Sequence, residues 1–162
     1  MMKRTIVLFL AIAVVGLFTG FSSHDGTSKA PDFSLKTSTG KTFILSKLKG
    51  KIVVINFWAT WCGPCRAEIP GFMDVYKKYK SKGLEIVGVS LDEGGWDDVK
   101  PFITENSIPY PIVLGNQQVA EQYGNIESIP TTFIVDKDGN IVGRHIGYMK
   151  EEDFEKVIQN YL

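Results

Sequence analysis

Only two cysteines occur in the 162 residues, and they stand three positions apart in Trp61-Cys62-Gly63-Pro64-Cys65. A structural disulfide closing so small a ring would remove little chain entropy, so stapling is a poor reason for the spacing. A zinc site wants four ligands. Beyond the cysteines the chain offers only His24 and His145, far apart in sequence. What the pair does suit is thiol–disulfide exchange. That reaction needs an exposed, stabilised thiolate and a second thiol close enough to release the substrate from the mixed disulfide.

The elements around the pair supply those conditions. From Gly63 onward Ile69, Phe72, Met73 and Tyr76 recur at helical spacing, so a helix begins at the cysteines. Cys62 then lies at the helix N-terminus, where unpaired N–H groups and the positive dipole end favour a thiolate. Its pKa is expected to fall from about 8.5 into the range ~3.5–7.5. Cys62 is thus the attacking thiol, and Cys65, one turn along, is the resolving thiol. Just upstream, Ile52-Val53-Val54-Ile55-Asn56-Phe57 is the β-branched run of a strand buried on both faces.

Further along, Leu84 to Val89 reads as a second apolar strand, Trp96 to Asn106 as a helix, Ile112 to Leu114 as a short strand, and Val119, Ala120 and Tyr123 as a short helix ending at Gly124. Thr131–Val135 and Ile141–Ile146 flank the turn Asp136-Lys137-Asp138-Gly139-Asn140. A last helix places Phe154, Val157, Ile158 and Tyr161 on one face. At the start, Phe33-Ser34-Leu35 and Lys41 to Leu45 form a hairpin around Ser38-Thr39-Gly40. Strands alternating with helices, then a hairpin and a helix, predict an α/β sandwich with a mixed sheet.

Eighteen basic and eighteen acidic residues leave no net field toward nucleic acid, so a basic-patch function is disfavoured. Residues 1–30 read differently from the rest. Lys3 and Arg4 precede an uncharged run of 17 residues, Thr5 to Phe21, followed by a polar stretch. This is the pattern of an export signal or membrane anchor over 1–22, a linker over 23–30 and one domain over 31–162. Cleaved signal and uncleaved anchor are both compatible with it, and either places the domain outside the cytoplasm. No cysteine follows the run, which excludes lipoprotein anchoring.

The segment Phe57-Trp58-Ala59-Thr60-Trp61-Cys62-Gly63-Pro64-Cys65 resembles a thioredoxin active site, and Cys65-Arg66-Ala67-Glu68-Ile69-Pro70 resembles the Cys-x-x-Glu-x-Pro pattern of the TlpA/ResA-like branch. The likeness runs from about Pro31 to Leu162. It implies a thioredoxin-like three-layer sandwich with an N-terminal hairpin and a central insertion around Asp92 to Tyr123. It also implies a bend at Pro70 and a cis bond at Ile129-Pro130, before the strand that opens at Thr131. Trp61, Gly63, Pro64, Ile129 and Pro130 then form the substrate-binding face. Thioredoxin carries a buried Asp on the strand before the motif, where this chain has Asn56. The branch supplies its acid from the helix instead, and Glu68 matches that position. Beside the thiols its pKa should rise, which would fit it to handle the proton of Cys65.

The resemblance further implies a protein-disulfide reductase with no cofactor beyond the redox-active Cys62–Cys65 disulfide. Its substrates would be disulfide-bearing exported proteins, either apocytochrome c or spore-envelope proteins, and its electron donor a CcdA- or DsbD-like membrane protein. A monomer is expected. Two other functions compete. A peroxiredoxin-like peroxidase would carry Thr-x-x-Cys, which is missing. A Sco-like copper chaperone resembles Cys-x-x-x-Cys with a distal His, one residue longer than the spacing here. Trp58, Tyr76 and Tyr79 read as packing residues and His145 as a sheet residue without chemistry.

Overall fold

The computed structural model describes residues 28–162, so the leader and most of the linker expected at the N-terminus lie outside the described residues. Its elements are β1 (Ser28–Lys29), β2 (Ser34–Lys36), β3 (Thr42–Ile44), β4 (Ile52–Trp58), α1 (Gly63–Tyr79), β5 (Leu84–Ser90), α2 (Trp96–Asn106), β6 (Ile112–Leu114), α3 (Gln117–Gln122), β7 (Thr131–Val135), β8 (Asn140–Ile146) and α4 (Glu151–Gln159).

Six strands form one sheet in the order β1-β8-β7-β4-β5-β6. The central β4 is parallel to β5 and antiparallel to β7, which makes the sheet mixed. The β2–β3 hairpin stands apart as its own two-stranded sheet, tied to β6 by a bridge between Thr37 and Val113.

Alternation along β4 sorts the core into two layers, because successive side chains point to opposite faces of a strand. Ile52, Val54 and Trp58 join the cluster on one face with both cysteines, Ile69 and Phe72 of α1, Val99 of α2, and Phe154 and Ile158 of α4. Val53, Ile55 and Phe57 join the opposite cluster with Phe33 and Phe43 of the hairpin, Val119 and Tyr123. Helices α1 and α4 meet closely. Phe72 stacks on Phe154 with ring centroids 4.1 Å apart, and a Cβ at Gly71 would sit 2.8 Å from Glu151 Cβ. The α1–α4 contact therefore needs a residue without a side chain at position 71.

One boundary departs from the sequence reading. The sheet begins at Ser28, inside the stretch read as linker, where Ser28 and Lys29 pair with Ile141 and Asn140 of β8. Both side chains are exposed, so this pairing leaves no hydrophobic pattern to read, and Lys29 Nζ adds a hydrogen bond to Asp138 C=O at 2.9 Å. Helix α1 ends at Tyr79, and a 3-10 turn over Lys80–Lys82 follows before Gly83, at φ +99°, closes the segment. Pro70 sits inside α1, which continues through it, and Pro101 does the same in α2.

Candidate active site

Strand β4 delivers the chain to the site. After Trp58 it makes a turn in which Cys62 N–H donates to Ala59 C=O at 3.2 Å, and α1 starts at the next residue. Cys62 is the N-cap of α1, with extended backbone angles, and its sulfur accepts from Cys65 N–H at 3.3 Å. A side-chain acceptor at this position satisfies one of the unpaired donors of the first turn. That donor is also the one that would stabilise a thiolate on the same sulfur. Pro64 fits the first turn because its missing N–H is not needed there.

The two cysteines are joined as a disulfide. Cys62 is 5% exposed and Cys65 fully buried, so an incoming group reaches Cys62 first. Beside them Trp61 is 69% exposed, an unusual setting for a residue of its size. The Ile129–Pro130 peptide bond is cis, and Ile129 C=O lies 3.7 Å from Cys62 Sγ. In the disulfide that sulfur has no hydrogen, so the contact becomes a hydrogen bond only when the thiol is present. Pro130 C=O accepts from Gly147 N–H at 2.8 Å, which brings Ile146 and Tyr148, both exposed, to the same rim.

Glu68 lies three residues after Cys65 on α1 and is only 2% exposed. Its Oε1 accepts from Asn56 Nδ2 at 2.8 Å, and its Oε2 accepts from the backbone N–H of Met149 at 3.2 Å. Burial penalises the charged form and pushes the carboxyl up from 4.5 to about 7, against the pull of these two hydrogen bonds. Asn56 thus donates to the acid. Its amide also donates to Thr132 Oγ1 at 3.0 Å, which anchors it to β7. Burial, and secondly the Glu68 charge, raise the Tyr110 phenol well above its ordinary range.

A second carboxylate enters from the loop after β5. Asp92 is 8% exposed and accepts from Thr60 N–H at 3.1 Å on each oxygen, from Thr60 Oγ1 at 2.5 Å and from Ser90 Oγ at 2.8 Å. Sequence reasoning did not mark it. Its partner Thr60 is 32 positions away, and the pairing becomes visible only once β4 and β5 lie side by side.

The structure brings the Cys62–Cys65 disulfide to the Ile129–Pro130 bond, with Trp61 exposed beside it, while Glu68 lies buried one helical turn beyond Cys65 with Asn56 and Met149 as its hydrogen-bond partners. Trp58 is buried against Phe102, and Tyr76 and Tyr79 are buried with their hydroxyls donating to Glu85 and Glu155. His145 lies exposed on β8, its Nε2 3.3 Å from Tyr148 C=O. Among the described residues no three His, Cys, Asp or Glu side chains converge as metal ligands would. Clefts lie between the 45–49 turn and the β7–β8 turn, between β8 and the end of α3, and between β2 and α3, and none of these is lined by a cysteine.

Comparison with known proteins gives a consistent picture. Residues 27–144 match the AhpC/TSA family. The chain is 36% identical over 159 residues to the thiol-disulfide oxidoreductase ResA of Bacillus thuringiensis (strain Al Hakam), covering 94% of this chain and 91% of that one. It is 38% identical over 155 residues to the ResA of Bacillus subtilis (strain 168), covering 91% and 86%. Among solved structures, a thiol:disulfide interchange protein from Chlorobium tepidum TLS superposes with a TM-score of 0.78 at 35% identity, over 83% of this chain and 96% of that one.

Proposed function

The chain belongs to the AhpC/TSA family, among its ResA-like thiol-disulfide oxidoreductases, and from that premise we propose that it reduces disulfides of exported proteins outside the cytoplasm. The observation that carries the reading is Cys62 at the N-cap of α1, nearer the surface than Cys65 and facing the backbone of Ile129.

The Cys62 thiolate attacks one sulfur of a substrate disulfide, forming a mixed disulfide and releasing the other substrate sulfur as thiolate. Cys65 loses its proton to Glu68, whose affinity near pH 7 suits both taking and returning it. The Cys65 thiolate then attacks Cys62, re-forming the disulfide of the structure and releasing the reduced substrate. Two electrons pass from the protein dithiol to the substrate, and a membrane dithiol donor of CcdA or DsbD type restores them. No further cofactor is needed in this scheme.

The exposed Trp61 beside Cys62 supports a polypeptide substrate, for which Trp61, Gly63, Pro64, Ile129 and Pro130 would form the docking face. Apocytochrome c with its haem-site cysteines is the substrate this reading favours. The leader pattern over residues 1–22 supports export, with the domain tethered to the membrane or released from it.

Changing Cys65 to Ser tests the reading. The variant should accumulate its substrates as reductant-sensitive mixed disulfides through Cys62. If it captures nothing when expressed reduced in its native membrane, and Cys62→Ser behaves identically, dithiol exchange with proteins is not the function.

A further inference from the structure

Resting on the oxidoreductase reading, the geometry points to Asp92 as a positioning residue of the active-site turn: by gripping Thr60 it holds Cys62 at the head of α1. The turn Ala59-Thr60-Trp61-Cys62 is closed by a single hydrogen bond, from Cys62 N–H to Ala59 C=O at 3.2 Å. Short turns of this kind depend on what fixes their central residues. Trp61 does not fix this one, because its side chain stands in solvent and touches no aromatic or hydrogen-bonding partner among the described residues. Thr60 remains, and both of its donors go to Asp92.

The carboxylate is well suited to the task. Its oxygens act only as acceptors, and every donor on it comes from Thr60 or Ser90. No cation lies within ion-pair distance among the described residues. Ser90 ends β5 and is locked by its own backbone bond from Gly115 N–H at 2.8 Å, so the grip on Thr60 is referred to the rigid centre of the sheet. The loop after β5 does not need Thr60 for its own shape. Leu91 N–H donates to Trp58 C=O at 2.8 Å and Gly95 N–H to Asp92 C=O at 3.2 Å. The contact to Thr60 is therefore directed at the turn, two residues from the attacking sulfur, where small displacements of a reacting atom are costly.

Three variants and two readouts test this. In the reduced protein, the rate at which Cys62 is alkylated by iodoacetamide is followed against pH, and reduction of a small aromatic disulfide such as 5,5′-dithiobis(2-nitrobenzoate) is timed. Asp92→Ala should slow both by about tenfold or more and displace the alkylation pH profile. Asp92→Asn keeps an acceptor for Thr60 and should recover most of the rate. Thr60→Val keeps the backbone donor, loses the hydroxyl, and should fall between wild type and Asp92→Ala.

An Asp92→Ala protein that folds and matches wild type in both rate and profile overturns the inference. If Asp92→Ala does not fold, Thr60→Val decides alone, and wild-type kinetics there overturn the inference equally. Failure of the reductase reading looks different. In that case the Cys65→Ser protein captures no partner through Cys62, yet the alkylation profiles of the three variants still rank as stated.

Discussion

Replacing Glu68 by Gln in the oxidised protein isolates the proton equilibrium of one buried acid, because the cysteines of the disulfide do not titrate. Burial raises the folded-state pKa of Glu68 to about 7, against 4.5 when unfolded. Between those values the folded chain holds a proton that the unfolded chain has lost, so stability must fall as pH rises from 4.5 to 7 and then level off. Each tenfold in proton affinity is worth about 1.4 kcal/mol, which makes the whole effect about 3 kcal/mol. Roughly 2.5 kcal/mol of this falls between pH 5 and pH 8. The substituted amide cannot titrate. It also turns an –NH2 toward Asn56 Nδ2 or Met149 N–H, a loss of about 1–3 kcal/mol that does not depend on pH. Urea unfolding of both oxidised proteins at pH 5, 6, 7 and 8 should therefore show the variant clearly weaker at pH 5, with the gap closing by pH 8. Two stability curves that run parallel across this range would refute the burial argument for Glu68.

Alkylation of the reduced protein with a limiting amount of iodoacetamide should label Cys62 before Cys65, as peptide mapping would show; a majority of label on Cys65 would reverse the assigned roles. Phe154→Ala empties a fully buried site stacked on Phe72 and should cost about 3–5 kcal/mol in chemical denaturation. A loss under about 1 kcal/mol would mean that α4 is not held by this contact. Gly88→Ala would place a methyl 2.5 Å from Ile112 Cδ1 and 2.9 Å from Trp58 Nε1, and should destabilise by about 1–3 kcal/mol. An unchanged midpoint there would show that β5 and β6 have slack which their packing does not suggest.

Much of the scaffold was written in residue periodicity. The apolar run of β4 and the helical spacing from Ile69 to Tyr76 are enough to place the cysteines at a strand-to-helix junction. Turn residues marked the β7–β8 hairpin. Burial of Glu68 was legible only through its match to a family pattern, since a helix carboxylate is by default exposed. Its hydrogen bond from Met149 could not be read at all, because a backbone N–H belongs to every residue except proline and carries no signature. Asp92 escaped for a related reason, its partner Thr60 lying across the β4–β5 pairing. The strand at Ser28–Lys29 was hidden because exposed backbone pairing asks nothing of side-chain polarity.

The contact between Met149 N–H and Glu68 also fixes an order of manufacture. Translation makes Cys62, Cys65 and Glu68 long before it makes the segment that closes over them, with Phe154 and Ile158 sealing that face of the core. Until that segment has docked, the acid is in water and behaves as an ordinary glutamate, while both thiols already exist. A nascent or C-terminally clipped chain would therefore carry both thiols beside a Glu68 still in the ordinary carboxylate range, and burial would raise it only when the last segment arrives.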